Sequence, residues 1–300
     1  MSDRLPLHEP DVPAILALLR RWIADRLPDE PRAWAESALD EMATAPTDRR
    51  LYGLYGEAVL RCGTADLLAT AAERAEAASI RPGWQPVDWS VDQLVRTALL
   101  LATAVAGEEH RERFEGRLDT LIRTADVREL VTLHRGLPLY PGADRHAARA
   151  ALGVRSNIRP VFEAVAHHDP YPAEAFDEGA WNQMVLKALF VGSSLDPIVG
   201  LEQRANPRLS AMLRRYAGER RAAMRAVSPE LWRCVGAAPD DGAIDDLRRL
   251  LAEGTDAERR AAVLALRAID DPEAAAVRAG AAELDAEAAE GGFGWSDLAS

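Results

Sequence analysis

A chain of 300 residues suffices for one large helical domain or two modest ones, so neither disulfides nor a structural metal is needed to complete a core. Its 36 basic and 48 acidic side chains leave a formal charge of −12, which opposes broad association with nucleic-acid phosphates or anionic lipid. Gly and Pro fall mostly in short gaps between Ala- and Leu-rich segments, a pattern that argues against long disorder.

The longest apolar run, Ala98 to Val105, is far shorter than the ~20 residues of a bilayer span, so no transmembrane segment is expected. From Asp3 and Arg4 the chain passes straight into an amphipathic segment without a basic, apolar and small-residue leader, so a cytoplasmic location is expected. Cys62 and Cys234 have no CxxC partner and read as packed thiols, not as a redox or zinc pair. No metal and no cofactor is expected.

Apolar residues recur at helical spacing nearly throughout, and the expected fold is all-α, a multi-helix, solenoid-like domain. A first helix runs from Val12 to Leu27, a second follows Asp29 with Pro31 in its first turn, and Thr47 opens a third that ends near Gly63. Thr64 or Asp66 starts a fourth. After the connector RPGWQPVDW at Arg81 to Trp89, Ser90 and Gln93 have capping-box spacing before the helix Leu94 to Val105. Further helices are expected at Glu109 to Thr124, Val127 to Arg135, Arg145 to Leu152, Asn157 to His167, Pro172 to Val191 and Pro207 to Val227. Beyond Asp240, Ile244 to Ala252 and Asp256 to Ile269 make a helix pair that reads either as one HEAT-type repeat or as a plain hairpin. The expected organisation is a main helical domain over 1–236, the HEAT-like hairpin over 237–285 and a loose tail over 286–300 carrying Phe293 and Trp295.

Lys187 is the single lysine, and the three asparagines, Asn157, Asn182 and Asn206, lie within the same fifty-residue region. On a helix over Ala180 to Val191, Trp181, Met184, Val185, Ala188 and Val191 cover most of the circumference, leaving Asn182, Gln183 and Lys187 on the remaining arc. Gln183 and Lys187 stand one turn apart. Lys187 then either snorkels to a carboxylate or to solvent, or serves as a pocket cation that anchors a phosphate or carboxylate. Charge anchoring is preferred to a role in which desolvation lowers its pKa and it acts as a base or Schiff-base nucleophile. His167, His168 and Asp169 suggest a metal site or an acid–base pair, but adjacent helical residues point to different faces, which favours a surface or capping role. The arginines from Arg208 to Arg225 read as a solvated face before an anion-binding one.

Several segments resemble the EboA family: RPGWQPVDWSVDQLVRT at Arg81 to Thr97, RSN at Arg155 to Asn157, PYPAEAFDEGAWNQMVLKALFVG at Pro170 to Gly192, and GLEQRANPRLSAMLRRYAGER at Gly200 to Arg220. SPELW at Ser228 to Trp232 continues the likeness, whose core spans 80–232, about half the chain. Agreement is looser before Ile80, and the histidine pair departs from the more apolar lead-in of the family pattern. The resemblance implies a protein encoded beside a UbiA-type prenyltransferase and sugar-phosphate-isomerase-like, dehydroquinate-synthase-like and hydrolase homologues, a cluster linked to processing or export of a small metabolite. It carries no catalytic residues to this chain.

Two functional readings follow. In one, Trp84, Trp89 and Trp181 wall a pocket whose polar groups are Asn157, Asn182, Gln183, Lys187, Arg204 and Asn206, with a partly apolar, anionic small molecule, phosphorylated or prenylated, as ligand. In the other, the chain is a helical scaffold for pathway proteins, and the same Trp and Asn residues are structural. A nucleic-acid partner would need a continuous basic face, which the net charge opposes.

Overall fold

The computed structural model describes residues 4–298, which divide into two compact units, residues 6–175 and residues 176–298 together with residues 4–5. Among the described residues the fold is all-α, and the sole departure is an isolated bridge between Asp66 and Ser90.

Within residues 6–175 the α-helices are α1 (Val12–Arg26), α2 (Asp29–Thr44), α3 (Asp48–Cys62), α4 (Ala71–Ile80), α5 (Val91–Val105), α6 (Glu108–Glu112), α7 (Phe114–Thr124), α8 (Val127–Arg135), α9 (Ala147–Arg155), α10 (Arg159–Ala166) and α11 (Tyr171–Ala175). The hub is α5, buried from Val91 to Ala104, with α1, α2 and α3 packed on it. Burying a whole helix takes polar groups inside with it, and these need partners. Arg96 lies 3.3 Å from Asp92 and donates from Nε to the Tyr55 carbonyl at 2.9 Å, while Arg128 reaches Asp92 from α8 at 3.2 Å. The apolar run seen in the sequence is therefore a core helix, and no helix among the described residues is long and apolar enough to cross a membrane.

The 176–298 unit holds α12 (Glu178–Val191), α13 (Pro207–Ala222), α14 (Leu231–Ala237), α15 (Ala243–Glu253), α16 (Asp256–Ala268), α17 (Pro272–Ala279) and α18 (Ala282–Ala289). α16 packs on α14 and α15, and the approach to α14 is close enough that a Cβ at Gly236 would lie 2.7 Å from the Ala265 backbone. Arg214 of α13 bonds Asp240 and Asp246, each at 2.7 Å, and Arg221 bonds Glu258 at 2.8 Å, so two of the α13 arginines fasten the helix pair. Phe293 is buried beneath Arg260, whose guanidinium carbon sits 5.0 Å from the ring centre.

Four helix expectations need correction. The fourth helix starts at neither Thr64 nor Asp66: Leu67 donates to the Trp89 carbonyl at 2.7 Å and Val91 to that of Ala65 at 2.9 Å, which holds this stretch extended. Thr70 forms the actual capping box with Glu73. The expected helix over Glu109 to Thr124 breaks at Arg113, where the His110 carbonyl accepts from the Arg117 guanidinium at 3.3 Å. The expected Pro172 to Val191 helix is two, because Asp177 caps a fresh start by accepting from Ala180 N–H at 2.7 Å. The helix from Pro207 ends at Ala222 instead of Val227, and Met224 turns the chain with a φ of 54°.

Candidate functional site

α12 begins at the Asp177 cap and ends at Gly192, whose left-handed backbone (φ 71°) lets Ser193 N–H return to the Ala188 carbonyl at 2.8 Å. Trp181, Asn182, Met184, Val185, Ala188 and Leu189 are its buried residues. Gln183, Leu186, Lys187 and Phe190 form the complementary stripe at i, i+3, i+4 and i+7. Tyr216, Glu219 and Arg220 of α13, with Ala223 just past its end, repeat the same spacing, and the two stripes wall a groove of about 420 Å³ completed by Arg225. That size is within the ~300–1,000 Å³ range of small-molecule sites.

Short-range bonds fix the groove's walls. The Tyr216 hydroxyl donates to the Leu189 carbonyl at 3.3 Å, which ties the α13 stripe to α12. Arg220 lies over the Tyr216 ring at 5.9 Å and donates from Nε to the Ala226 carbonyl at 2.9 Å, so it also holds the turn that presents Arg225. Three cations, Lys187, Arg220 and Arg225, meet one carboxylate, Glu219, in the lining. Glu219 in turn sits 3.8 Å from Arg215. Partial desolvation lowers the Lys187 pKa, leaving its ammonium easier to deprotonate than an ordinary lysine's. The apolar side is Leu186 and Phe190, the latter 76% exposed. Such a lining can hold an anionic group beside an apolar one.

Of the residues expected at the site, Gln183 and Lys187 line this groove. Asn182 and Asn206 lie beneath it as a buried reciprocal amide pair, with Asn182 Nδ2 donating to Asn206 Oδ1 at 3.1 Å and the return bond at 2.9 Å. Asn182 is thus not on the outer arc of its helix. Asn206 Oδ1 also accepts from Leu209 N–H at 2.8 Å, capping α13. Arg204 is buried, donates to the Phe176 carbonyl at 3.0 Å, and stands 4.9 Å from the centre of the Trp181 ring, also buried. Leu186, Phe190 and Tyr216 were missed, whereas Arg220 and Arg225 were read first as part of a solvated face and only second as anion-binding. The i, i+3, i+4 stripe on the helix after Asn206 was the available signal, but periodicity does not say which helix it faces.

Trp84, Trp89 and Asn157 belong to the 6–175 unit. Asn157 is exposed just ahead of α10. Trp84 stacks on Trp22 at 6.2 Å and meets Trp89 edge-on at 5.8 Å. The two line a separate cleft of about 100 Å³ with Gln85, Asp88, Arg135, Glu163, His167, His168 and Asp169. Asp169 Oδ1 accepts from Tyr171 N–H at 2.7 Å, and its pKa is pushed well above the usual carboxylate range, chiefly by burial. Among the described residues no group of three His, Cys, Asp or Glu side chains is placed to hold a metal ion. Burial raises the Cys62 thiol to about 11 and the Cys234 thiol to about 12, so neither is a ready thiolate.

Fold and groove define the class: an all-α protein with a cationic, part-apolar groove between two of its helices. The family model described as metabolite traffic protein EboA matches residues 15–236, and the chain belongs to the EboA family. The match takes in the N-terminal helices from Ile15 onward and stops at Gly236, before α15. Neither a curated protein nor a solved structure matches the chain. Membership connects it with metabolites at the level of the family's description.

Proposed function

We propose that the groove between α12 and α13 binds a partly apolar, anionic small molecule, of phosphorylated or prenylated type, and that the chain handles it as part of metabolite traffic. One observation carries the reading: Lys187, Arg220 and Arg225 share about 420 Å³ of space with Leu186 and Phe190. In a chain of net charge −12, a local excess of cations in a concavity favours an anion there against the field of the whole molecule. The apolar stripe beside it favours an aliphatic or prenyl portion, since each buried methylene is worth about 0.8 kcal/mol. The family's description as metabolite traffic protein agrees with binding and hand-over.

The scaffold alternative draws on a different feature. Phe190, which lines the groove, and Met224, in the turn after α13, are 76% and 96% exposed, and large exposed apolar side chains also suit a protein partner. Native mass spectrometry of the chain purified from its own host separates the two. A stoichiometric small molecule carrying a phosphate or a prenyl chain supports the binding reading. A clean apo mass with pathway proteins co-purifying supports the scaffold and overturns the ligand.

A further inference from the structure

The cleft in the 6–175 unit has no part in the reading above and carries its own chemistry. Asp169 is 3% exposed and lines the cleft, and its Oδ2 is buried with no hydrogen-bond partner, although Oδ1 is satisfied by Tyr171 N–H. A buried polar atom left unsatisfied costs ~1–3 kcal/mol, which a ligand hydroxyl placed there would recover. The next residue back, His168, is held with a φ of 56°, a left-handed backbone that non-glycine residues seldom adopt, and its carbonyl accepts from Gln85 N–H at 3.2 Å. That strained turn sets the His168 ring at the cleft's edge, 4.0 Å from Asp88.

The balance of groups in the lining selects a ligand class. Burial biases Asp169 toward its neutral acid, and Glu163 is already paired with Arg159 at 2.7 Å, which leaves Arg135 against Asp88 and the lining close to neutral. A phosphate would meet two carboxylates, and an ammonium would meet the Arg135 guanidinium. Donors and acceptors are both present instead: Arg135 and the neutral acid of Asp169 donate, while Asp88 and Glu163 accept. Trp84 and Trp89 present apolar wall to the same space. One water needs only ~10–15 Å³ of cavity space, so about 100 Å³ admits several hydroxyl-sized groups. We infer that this cleft binds a small neutral polyol, a ligand with adjacent hydroxyls and a C–H face, through Asp169, Arg135, Glu163 and the Trp84–Trp89 wall.

Saturation-transfer NMR on the full chain with glycerol, sorbitol and glucose as probes tests this, with tetramethylammonium and inorganic phosphate as the competing chemistries. Saturable binding of at least one polyol is expected. Asp169→Asn, which keeps a donor and an acceptor, should bind within about threefold of the parent, whereas Asp169→Leu should weaken binding about tenfold, the loss of one good hydrogen bond. Should Asp169→Leu fail to fold, Arg135→Met serves, because it keeps the apolar stem and removes a donor from the lining; a several-fold weakening is expected. Absence of saturable polyol binding, binding indifferent to both substitutions, or binding of tetramethylammonium or phosphate in place of polyols each overturns the inference.

Discussion

Lys187 and Asp169 are two titratable side chains whose surroundings push them in opposite senses. Desolvation lowers the Lys187 pKa, so an anion held by its ammonium should be released as pH rises sooner than one held by an ordinary lysine. Lys187→Met removes the charge but keeps most of the volume at a half-buried position, so the fold should persist. Loss of a charge-assisted contact is worth ~1.5–3 kcal/mol, about 10- to 100-fold in Kd, measurable by titrating the molecule recovered from the host. An unchanged Kd in a well-folded Lys187→Met protein would remove the cation from the site. Asp169 has the reverse sense: its folded pKa lies above its unfolded one, so the folded state binds more protons. Its contribution is therefore fully present below the unfolded pKa of about 3.8 and is lost as pH rises through the folded value. Asp169→Asn should consequently be near neutral around pH 4 and stabilising at pH 7 to 8, on the order of 1 kcal/mol by urea denaturation. A substitution equally destabilising at both pH values would contradict the assignment of Asp169 as a buried acid.

Elements were legible where their ends carry chemistry. Thr47 caps its helix and Ser90 with Gln93 forms a capping box at the places their side chains indicate, and Val127–Arg135 has the bounds that its apolar spacing sets. The breaks inside long amphipathic stretches were not legible. The interruption at Arg113 lies where Arg117, three residues into the next helix, bonds back to a carbonyl, and the extended stretch at Leu67 depends on a backbone partner more than twenty residues away. Of the site, the stripe bearing Gln183 and Lys187 was readable, while its opposite wall was not. The Asn182–Asn206 pair explains why: a buried amide and a ligand-binding amide look alike until the partner is known. The same logic applies to α11, which is held by a contact invisible to periodicity. Arg81 and Glu174 form a two-pronged pair at 2.8 and 2.7 Å with both side chains buried, Arg81 Nε donates to the Pro138 carbonyl, and His8 approaches the same carboxylate at 3.2 Å. Glu174→Gln strands the Arg81 charge and should cost about 3–5 kcal/mol of stability. A cost below about 1 kcal/mol in chemical denaturation would mean that water or another carboxylate reaches Arg81.

At the scale of the whole molecule, the division into two units puts the two concavities in different bodies: the cationic groove in residues 176–298 and the polar cleft in residues 6–175. Their linings differ in kind. One offers an excess of positive charge beside exposed apolar side chains, and the other a near-neutral set of donors and acceptors against tryptophan. Ligands of the two kinds should therefore protect different amides, because binding stabilises most strongly the structure it contacts and slows the local openings through which exchange occurs. Hydrogen exchange on the full chain makes this visible. A phosphorylated or prenylated ligand should slow exchange in peptides covering residues 183–190 and 216–225 and leave residues 84–89 and 163–169 unchanged; a polyol should do the reverse. Protection of both sets by a single ligand would show instead that the concavities respond as one, and the groove would then have to be understood together with the tryptophan cleft, not by itself.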